Sequence, residues 1–307
     1  MESTFLLRSK RSCDVFFKFQ GIGLTEFIGR VVPINRILTA MKLISLMYHD
    51  AVEGGANESS GFNWPDAALY KLDVGVFDEH LRTIARACER PAVISDILSA
   101  DPNPPIVPKQ WMITFDDGGV SAYTHIADRL EELGWRGHFF IATDYIGAKG
   151  FMDRAQIREL RRRGHAIGSH SCSHPLRMAS CGLRQIEREW NVSVDLLSDL
   201  LGERVDLASI PGGQYSRRVA EAAAQAGVKA LFTSEPTVRR RLIAGCLTLG
   251  RYAIRRWTAP QTAAAIASGK IVPRARQALL WHVKKMAKAA WGERYLKFRE
   301  SLARLRH

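Results

Sequence analysis

Two adjacent carboxylates end the apolar run Trp111-Met112-Ile113-Thr114-Phe115, giving Asp116-Asp117-Gly118-Gly119. Like charges side by side repel unless a cation or a donor holds them, so a plain buried strand has no use for the pair. The glycines allow a tight turn and close backbone approach, which lets both acids face one pocket. An ordinary strand followed by an Asp-Gly turn accounts for these residues equally well. Further along, the strand-like His165-Ala166-Ile167-Gly168 runs into His170 and His174, separated by three residues and followed by Pro175. Imidazole with carboxylate suits Zn²⁺ or a similar divalent metal, and three protein ligands leave one coordination position for water. A lone strand-end histidine is more often structural; two of them, paired with an upstream Asp-Asp, favour a metal site. Cys172, between the histidines, reads as a packing residue.

A third piece of chemistry stands at the end of the strand-like Leu43-Ile44-Ser45-Leu46-Met47, where the chain reads Tyr48-His49-Asp50. A strand-end histidine bonded to a neighbour is the less favoured alternative to a chemical role for His49.

Thr114-Phe115-Asp116-Asp117-Gly118 and His170-Ser171-Cys172-Ser173-His174 resemble the first two motifs of the polysaccharide deacetylases, carbohydrate esterase family four. Ser209-Ile210-Pro211-Gly212-Gly213-Gln214-Tyr215-Ser216 is a candidate third motif, and the resemblance covers residues 42–255. It implies a distorted (β/α) barrel of about seven strands with its site at the C-terminal strand ends, the usual place in such barrels. It implies Asp117, His170 and His174 as ligands of a divalent metal, Zn²⁺ foremost, with Asp116 as general base. Leu46-Met47-Tyr48-His49-Asp50 looks like the family's late histidine motif moved to the N-terminus, as in the circularly permuted deacetylases of poly-N-acetylglucosamine; His49 is then the general acid. Pro211, Gly212, Gly213, Tyr215, Asp50 and Arg251 complete the expected substrate and oxyanion residues, the glycine turn supplying backbone N–H groups. Many members carry an arginine two residues before the third-motif proline, and here that position is Ser209. Arg251 stands as either a substitute charge or a solvated strand-end arginine, and the second reading is the commoner one. Glu235 is undecided. The implied function is metal-dependent removal of N-acetyl groups from a sugar, polysaccharide or lipid-linked glycan. An amidase on a non-carbohydrate C–N bond, or a catalytically silent glycan-binding protein, are the alternatives.

The elements that must position these residues follow from patterning. After the Asp-Asp strand, helices are expected over 120–133, 153–163 (N-capped by Asp153), 183–201 (stopped by Gly202) and 216–226. Strands are expected over 137–143, 165–168, 205–210 and 228–233. Such alternation predicts a parallel α/β sheet, closed or open. Upstream, helical spacing covers 77–87 and 92–98. The loop between residues 51 and 75 carries Phe62, Trp64 and Tyr70, aromatic faces suited to covering a pocket.

At 307 residues the chain can hold one large barrel and an appendage; 46% hydrophobic and 24% charged residues are ordinary for a globular enzyme. We divide it into an N-terminal extension (1–40), a barrel (41–269) and a basic amphipathic helical tail (270–307). Translation starting at Met41 is the other account of the first segment. Five scattered cysteines form no disulfide framework, and no secretory signal or transmembrane run is evident. A cytoplasmic enzyme is expected. Residues 239–307 hold 17 Lys and Arg against 2 Glu, a balance larger than the whole chain's +13. The partner expected is an N-acetylated glycan; the tail is read equally as a helix for an anionic surface at the inner membrane face and as one whose apolar side docks on the barrel with its lysines solvated. No motif accompanies the charge that would indicate nucleic acid.

Overall fold

The computed structural model describes residues 43–99, 110–213 and 215–286. The proposed extension over 1–40, Cys13 and the last 21 residues of the tail lie outside them. The chain opens with β1 (Leu43–Tyr48), whose six residues are all buried, then a short β2 (Asp50–Val52). β3 (Lys71–Asp73) pairs with β2 in a separate ribbon. Helix α1 (Val74–Ala87) begins where Asp73 caps the Gly75 amide, and α2 (Ile94–Ser99) follows. β4 (Gln110–Phe115) lies beside β1 over six residue pairs, from Leu43–Gln110 to Tyr48–Phe115.

A π-helical turn over Ala122–Ile126 leads into α3 (Ala127–Glu132), where patterning predicts one uninterrupted α-helix. Its first turn is held from outside: the Ser121 hydroxyl donates to Asp50 at 2.8 Å, and the Ser121 amide to the Ser60 hydroxyl at 2.9 Å. Then come β5 (His138–Ile141), α4 (Arg154–Arg162) and β6 (Ala166–Ser169). Asp153 and Gln156 form a reciprocal capping box at the start of α4. Helix α5 (Leu183–Leu201) buries Ile186, Trp190, Val194 and Leu197 and ends on left-handed Gly202, as its spacing requires. β7 (Leu207–Ser209), α6 (Arg217–Gln225) and β8 (Ala230–Phe232) complete the regular alternation. β9 (Arg241–Ile243), β10 (Cys246–Leu249), β11 (Tyr252–Ala253) and α7 (Pro260–Ala267) follow, and α7 packs on α1. A last helix, α8, covers 271–286.

The main sheet has nine strands in the order β11-β1-β4-β5-β6-β7-β8-β10-β9. All pairs are parallel except β9 with β10. This corrects the expected barrel of about seven strands: the sheet is curled and open, a half-barrel with β11 and β9 at its edges. The antiparallel β9 follows from the tight connection at Ala244 and Gly245, both at positive φ, which folds the chain straight back.

Candidate active site

The parallel strands bring the sequence motifs to one end of the sheet. Asp116 and Asp117 leave the end of β4, where the Asp116 amide donates to the Tyr48 carbonyl at 3.1 Å. His170 follows β6, its amide donating to the Ile141 carbonyl at 2.8 Å. Among the described residues, four non-glycines have positive φ: Asp117, Ser171, His174 and Ala244. Three of them stand in these two motifs. Left-handed backbone at side-chained residues is costly and persists where the surroundings over-determine it, often at functional sites.

Asp117, His170 and His174 form a candidate metal-binding triad, all three buried, with one ligand atom from each lying within 4.8 Å of the others. Asp117 Oδ1 is 3.3 Å from Nε2 of His170 and 3.3 Å from Nε2 of His174. Tetrahedral ligands about 2.0–2.1 Å from a Zn²⁺ ion stand roughly 3.3 Å apart, so these two spacings fit such an ion. The tautomer fits as well: His170 Nδ1–H donates to the Ser209 carbonyl at 2.9 Å, which turns the Nε2 lone pair towards Asp117. Burial would raise the Asp117 carboxyl, but His49, His170 and His174 outweigh it and hold the group well below the ordinary value. It is therefore ionised, as a ligand must be.

Asp116 faces Arg251. The guanidinium reaches both carboxylate oxygens at 2.7 Å, donates to the Ser209 hydroxyl at 2.7 Å, Thr114 Oγ1 at 3.1 Å and the Thr233 carbonyl at 3.1 Å. It lies over the Phe140 and Phe232 rings and is 0% exposed. This corrects the reading of Arg251 as a solvated strand-end arginine. A buried, forked ion pair satisfies both partners, which is why an arginine can stand in this interior at all. Burial works to raise the Asp116 carboxyl, yet Arg251 and His170 bring it below its ordinary value. Ser209, at the position where the resemblance implies an arginine, is bonded to one that arrives from between β10 and β11.

His49 is half-buried at the end of β1, its ring against Tyr70 at 4.5 Å between centroids. Phe62 stacks on Trp64 at 4.1 Å and lies 4.6 Å from the His174 ring, so the 53–70 segment does cover the site. Phe62 is buried and Trp64 is 36% exposed. Asp50 accepts hydrogen bonds from Ser60 (2.6 Å) and Ser121 (2.8 Å), and its carboxylate packs where a Cβ on Gly119 would stand. Burial pushes this carboxyl up against those two bonds and Lys71. The structure thus sets Asp50 to holding the covering segment beside the motif glycine.

Pro211 has no N–H, and the Gly213 amide donates to the Ile210 carbonyl at 3.2 Å. Gly212 adopts φ 63°, with the Leu176 carbonyl where a side chain would go. Tyr215 packs on the core cluster around Ile210 and Val219, under the Arg241 guanidinium, which also pairs with Glu235 at 3.0 Å. Cys172 packs: its thiol contacts Asp144, and burial foremost pushes it up to about 12.

Two contributors escaped the sequence reading. Glu189 on α5 accepts from the Cys172 amide (2.9 Å), the Ser173 amide (2.8 Å) and the Ser173 hydroxyl, and so ties down the loop between the two histidines. Its signal is an acid on the same helix face as Ile186 and Trp190. Lys71, buried at the start of β3, donates to the Asn57 and Ser60 carbonyls and closes the covering segment on itself.

The family described as Polysaccharide deacetylase matches residues 105–231, the stretch that holds both ligand motifs. YxkH of Bacillus subtilis is 28% identical over 215 residues, 70% of each chain. Among solved structures, Streptococcus pyogenes deacetylase PplD in complex with acetate superposes with a TM-score of 0.62 at 20% identity, covering 74% of this chain and 98% of that one. IcaB from Ammonifex degensii gives 0.61 at 20% identity, covering 74% and 97%. In fold the chain is similar to these solved deacetylases, and in sequence it is similar to the polysaccharide deacetylases over residues 105–231, the segment that carries the triad.

Proposed function

We propose that this protein is a zinc-dependent hydrolase that removes N-acetyl groups from an N-acetylated sugar or glycan, with His49 as the acid in the manner of the circularly permuted poly-N-acetylglucosamine deacetylases. The observation that carries the proposal is the pairing of a tetrahedral-sized Asp117–His170–His174 triad with a second, separately held carboxylate, Asp116. A divalent metal on the triad would supply Lewis acidity, polarising the amide carbonyl and acidifying a water. Asp116 takes the proton of the attacking water. Arg251 fixes that carboxylate's plane and keeps it ionised, so it is a base before substrate arrives. The Gly212 amide is the turn's donor for the carbonyl oxygen as it gains charge. His49, at the end of β1 against Tyr70, protonates the leaving amine, so the amide C–N bond breaks to an amine and acetate. Trp64 offers a sugar ring an apolar face.

Acetate release from N-acetylglucosamine oligomers tests the reading, with chelator abolishing it and Zn²⁺ restoring it. Asp117→Ala, His170→Ala and His174→Ala should lose both metal and turnover. Asp116→Asn should keep the metal and lose turnover by about 10²-fold or more, the usual contribution of a general base. A metal-loaded protein that releases no acetate from any N-acetyl sugar, but hydrolyses a simple amide, would assign the site to the amidases. Glycan binding without hydrolysis would make it a silent binding protein.

A further inference from the structure

Helix α8 (271–286) is mounted with its polar side inward. Gln277 accepts from the Ala253 amide and donates to the Ala253 carbonyl, both at 2.9 Å, so it completes the outer edge of β11 as a neighbouring strand would. Arg274 donates to the Gly269 and Lys270 carbonyls at 3.1 Å and lies over the Tyr252 ring. At about 100° per residue, Ile271, Val272, Leu279, Leu280, Val283 and Met286 fall on the opposite arc. They are 48–78% exposed. An amphipathic helix of a globular domain ordinarily buries its apolar arc and solvates the other. Here the arrangement is reversed.

The stretch of chain that carries α8 has charge of one sign. Between Glu235 and Glu293 the chain has no acidic residue and 12 Lys and Arg; of these, exposed Arg276 lies on the arc itself, while Lys284 and Lys285 flank the inward side, Lys285 over the Trp281 ring. A second copy of the chain would bury the apolar arc by setting this cationic helix against its own image, because a two-fold contact is self-complementary. A bilayer of anionic phospholipid matches both features: apolar side chains reach the acyl boundary while the cations meet phosphates. No helix among the described residues is long and apolar enough to cross a membrane, so the contact would be peripheral.

The mounting point matters for the site. Ala253 is level with Met47 of β1, two residues before His49. The Arg256 amide donates to the Leu69 carbonyl at 2.9 Å, and the Arg255 guanidinium lies over Tyr70, the ring against His49. Helix α8 therefore hangs from the rim of the candidate active site beside the proposed acid.

We propose that the outward arc of α8 is a docking surface for anionic phospholipid bilayers and holds the rim of the site at headgroup level. The docking adds to the proposed activity and does not depend on it. Flotation of the full chain with vesicles tests it, comparing phosphatidylcholine alone with phosphatidylcholine mixed with phosphatidylglycerol, at low and high salt. Binding is expected to the anionic vesicles only, and to weaken with salt. The double variant L279E/V283E should lose about tenfold or more in partitioning, from the loss of two buried apolar side chains and the gain of two repelled charges. Its thermal midpoint should match the parent's, since both side chains point away from the domain. R276S, which removes the cation lying on the arc, should lose binding to anionic vesicles by several-fold. Failure of the parent chain to bind anionic vesicles overturns the proposal, as does unchanged binding of L279E/V283E. A parent dimer that L279E/V283E converts to monomer, with vesicles left empty, assigns the arc to a second copy and overturns it too.

Discussion

Replacing Arg251 by methionine would leave Asp116 buried, ionised and unpaired. Breaking one partner of a buried ion pair typically costs about 3–5 kcal/mol, because the remaining charge keeps its desolvation penalty. Urea unfolding of Arg251→Met should show a loss of that order, together with a fall in acetate release well beyond any change in zinc affinity, since the triad is untouched. Arg251→Lys restores the charge without the fork and should recover stability in part and turnover less. A lysine variant indistinguishable from the parent would show that charge alone suffices and that the two 2.7 Å bonds are incidental. The residues that sequence could find here are those whose chemistry is local. Asp116 sits beside Asp117, and His170 lies within one short loop of His174. Arg251 meets Asp116 across 135 positions, and an arginine following a strand usually points to water, so nothing in its neighbourhood announces an inward guanidinium. Glu189 is hidden in the same way, an acid on a helix stripe whose partner is a loop in another motif.

Two buried histidines lock neighbouring elements only while neutral. His138 Nε2 accepts the Ile94 amide at 2.9 Å at the start of α2, while its Nδ1–H donates to the Ile113 carbonyl of β4. His165 Nδ1 accepts the Gly137 amide at 3.1 Å as β5 begins, while Nε2–H donates to Glu131. A protonated ring has no lone pair to accept either amide, and burial, the foremost cause in both, pulls the two down to about 4 from 6.5. The unfolded chain binds these protons first, so stability is highest at neutral pH and falls as pH drops from 6.5 towards 4. Each shift is worth on the order of 3 kcal/mol when the pH has fallen below the folded value. Urea midpoints measured across that range should fall steeply, and a flat profile would contradict neutral, accepting histidines. Elements are also the scale at which sequence spoke most clearly. Capped or glycine-stopped helices such as α4, α5 and α6 lie within a residue or two of their expected bounds, since caps and periodicity are local signals. The two-residue β11 and the β9–β10 hairpin carry no such periodicity, and the π turn before α3 depends on distant Asp50 and Ser60.

At the scale of the molecule, alternating strands and helices were legible but closure was not. Whether a curled parallel sheet closes depends on strand number, tilt and stagger together, none of which a single strand's sequence reveals. The observed sheet stops at β11 on one side and β9 on the other. Its strand ends are then tied through the site: Asp117 leaves β4, His170 and His174 leave β6, and β5 lies between. A cation on the triad would link the ends of β4 and β6 across β5, and binding only the folded state must stabilise it by mass action, about 2.7 kcal/mol at a hundredfold excess over the dissociation constant. In a chain of this size each kcal/mol moves the thermal midpoint by roughly 2–4 °C, so saturating zinc should raise it by about 5–10 °C over the chelated protein. His170→Ala should abolish this response by removing a ligand. Arg251→Met should melt lower throughout yet keep the full zinc increment, because its loss falls on Asp116. A midpoint indifferent to zinc in the parent chain would remove the metal from the triad and leave Asp117 neutralised by His49, His170 and His174 alone.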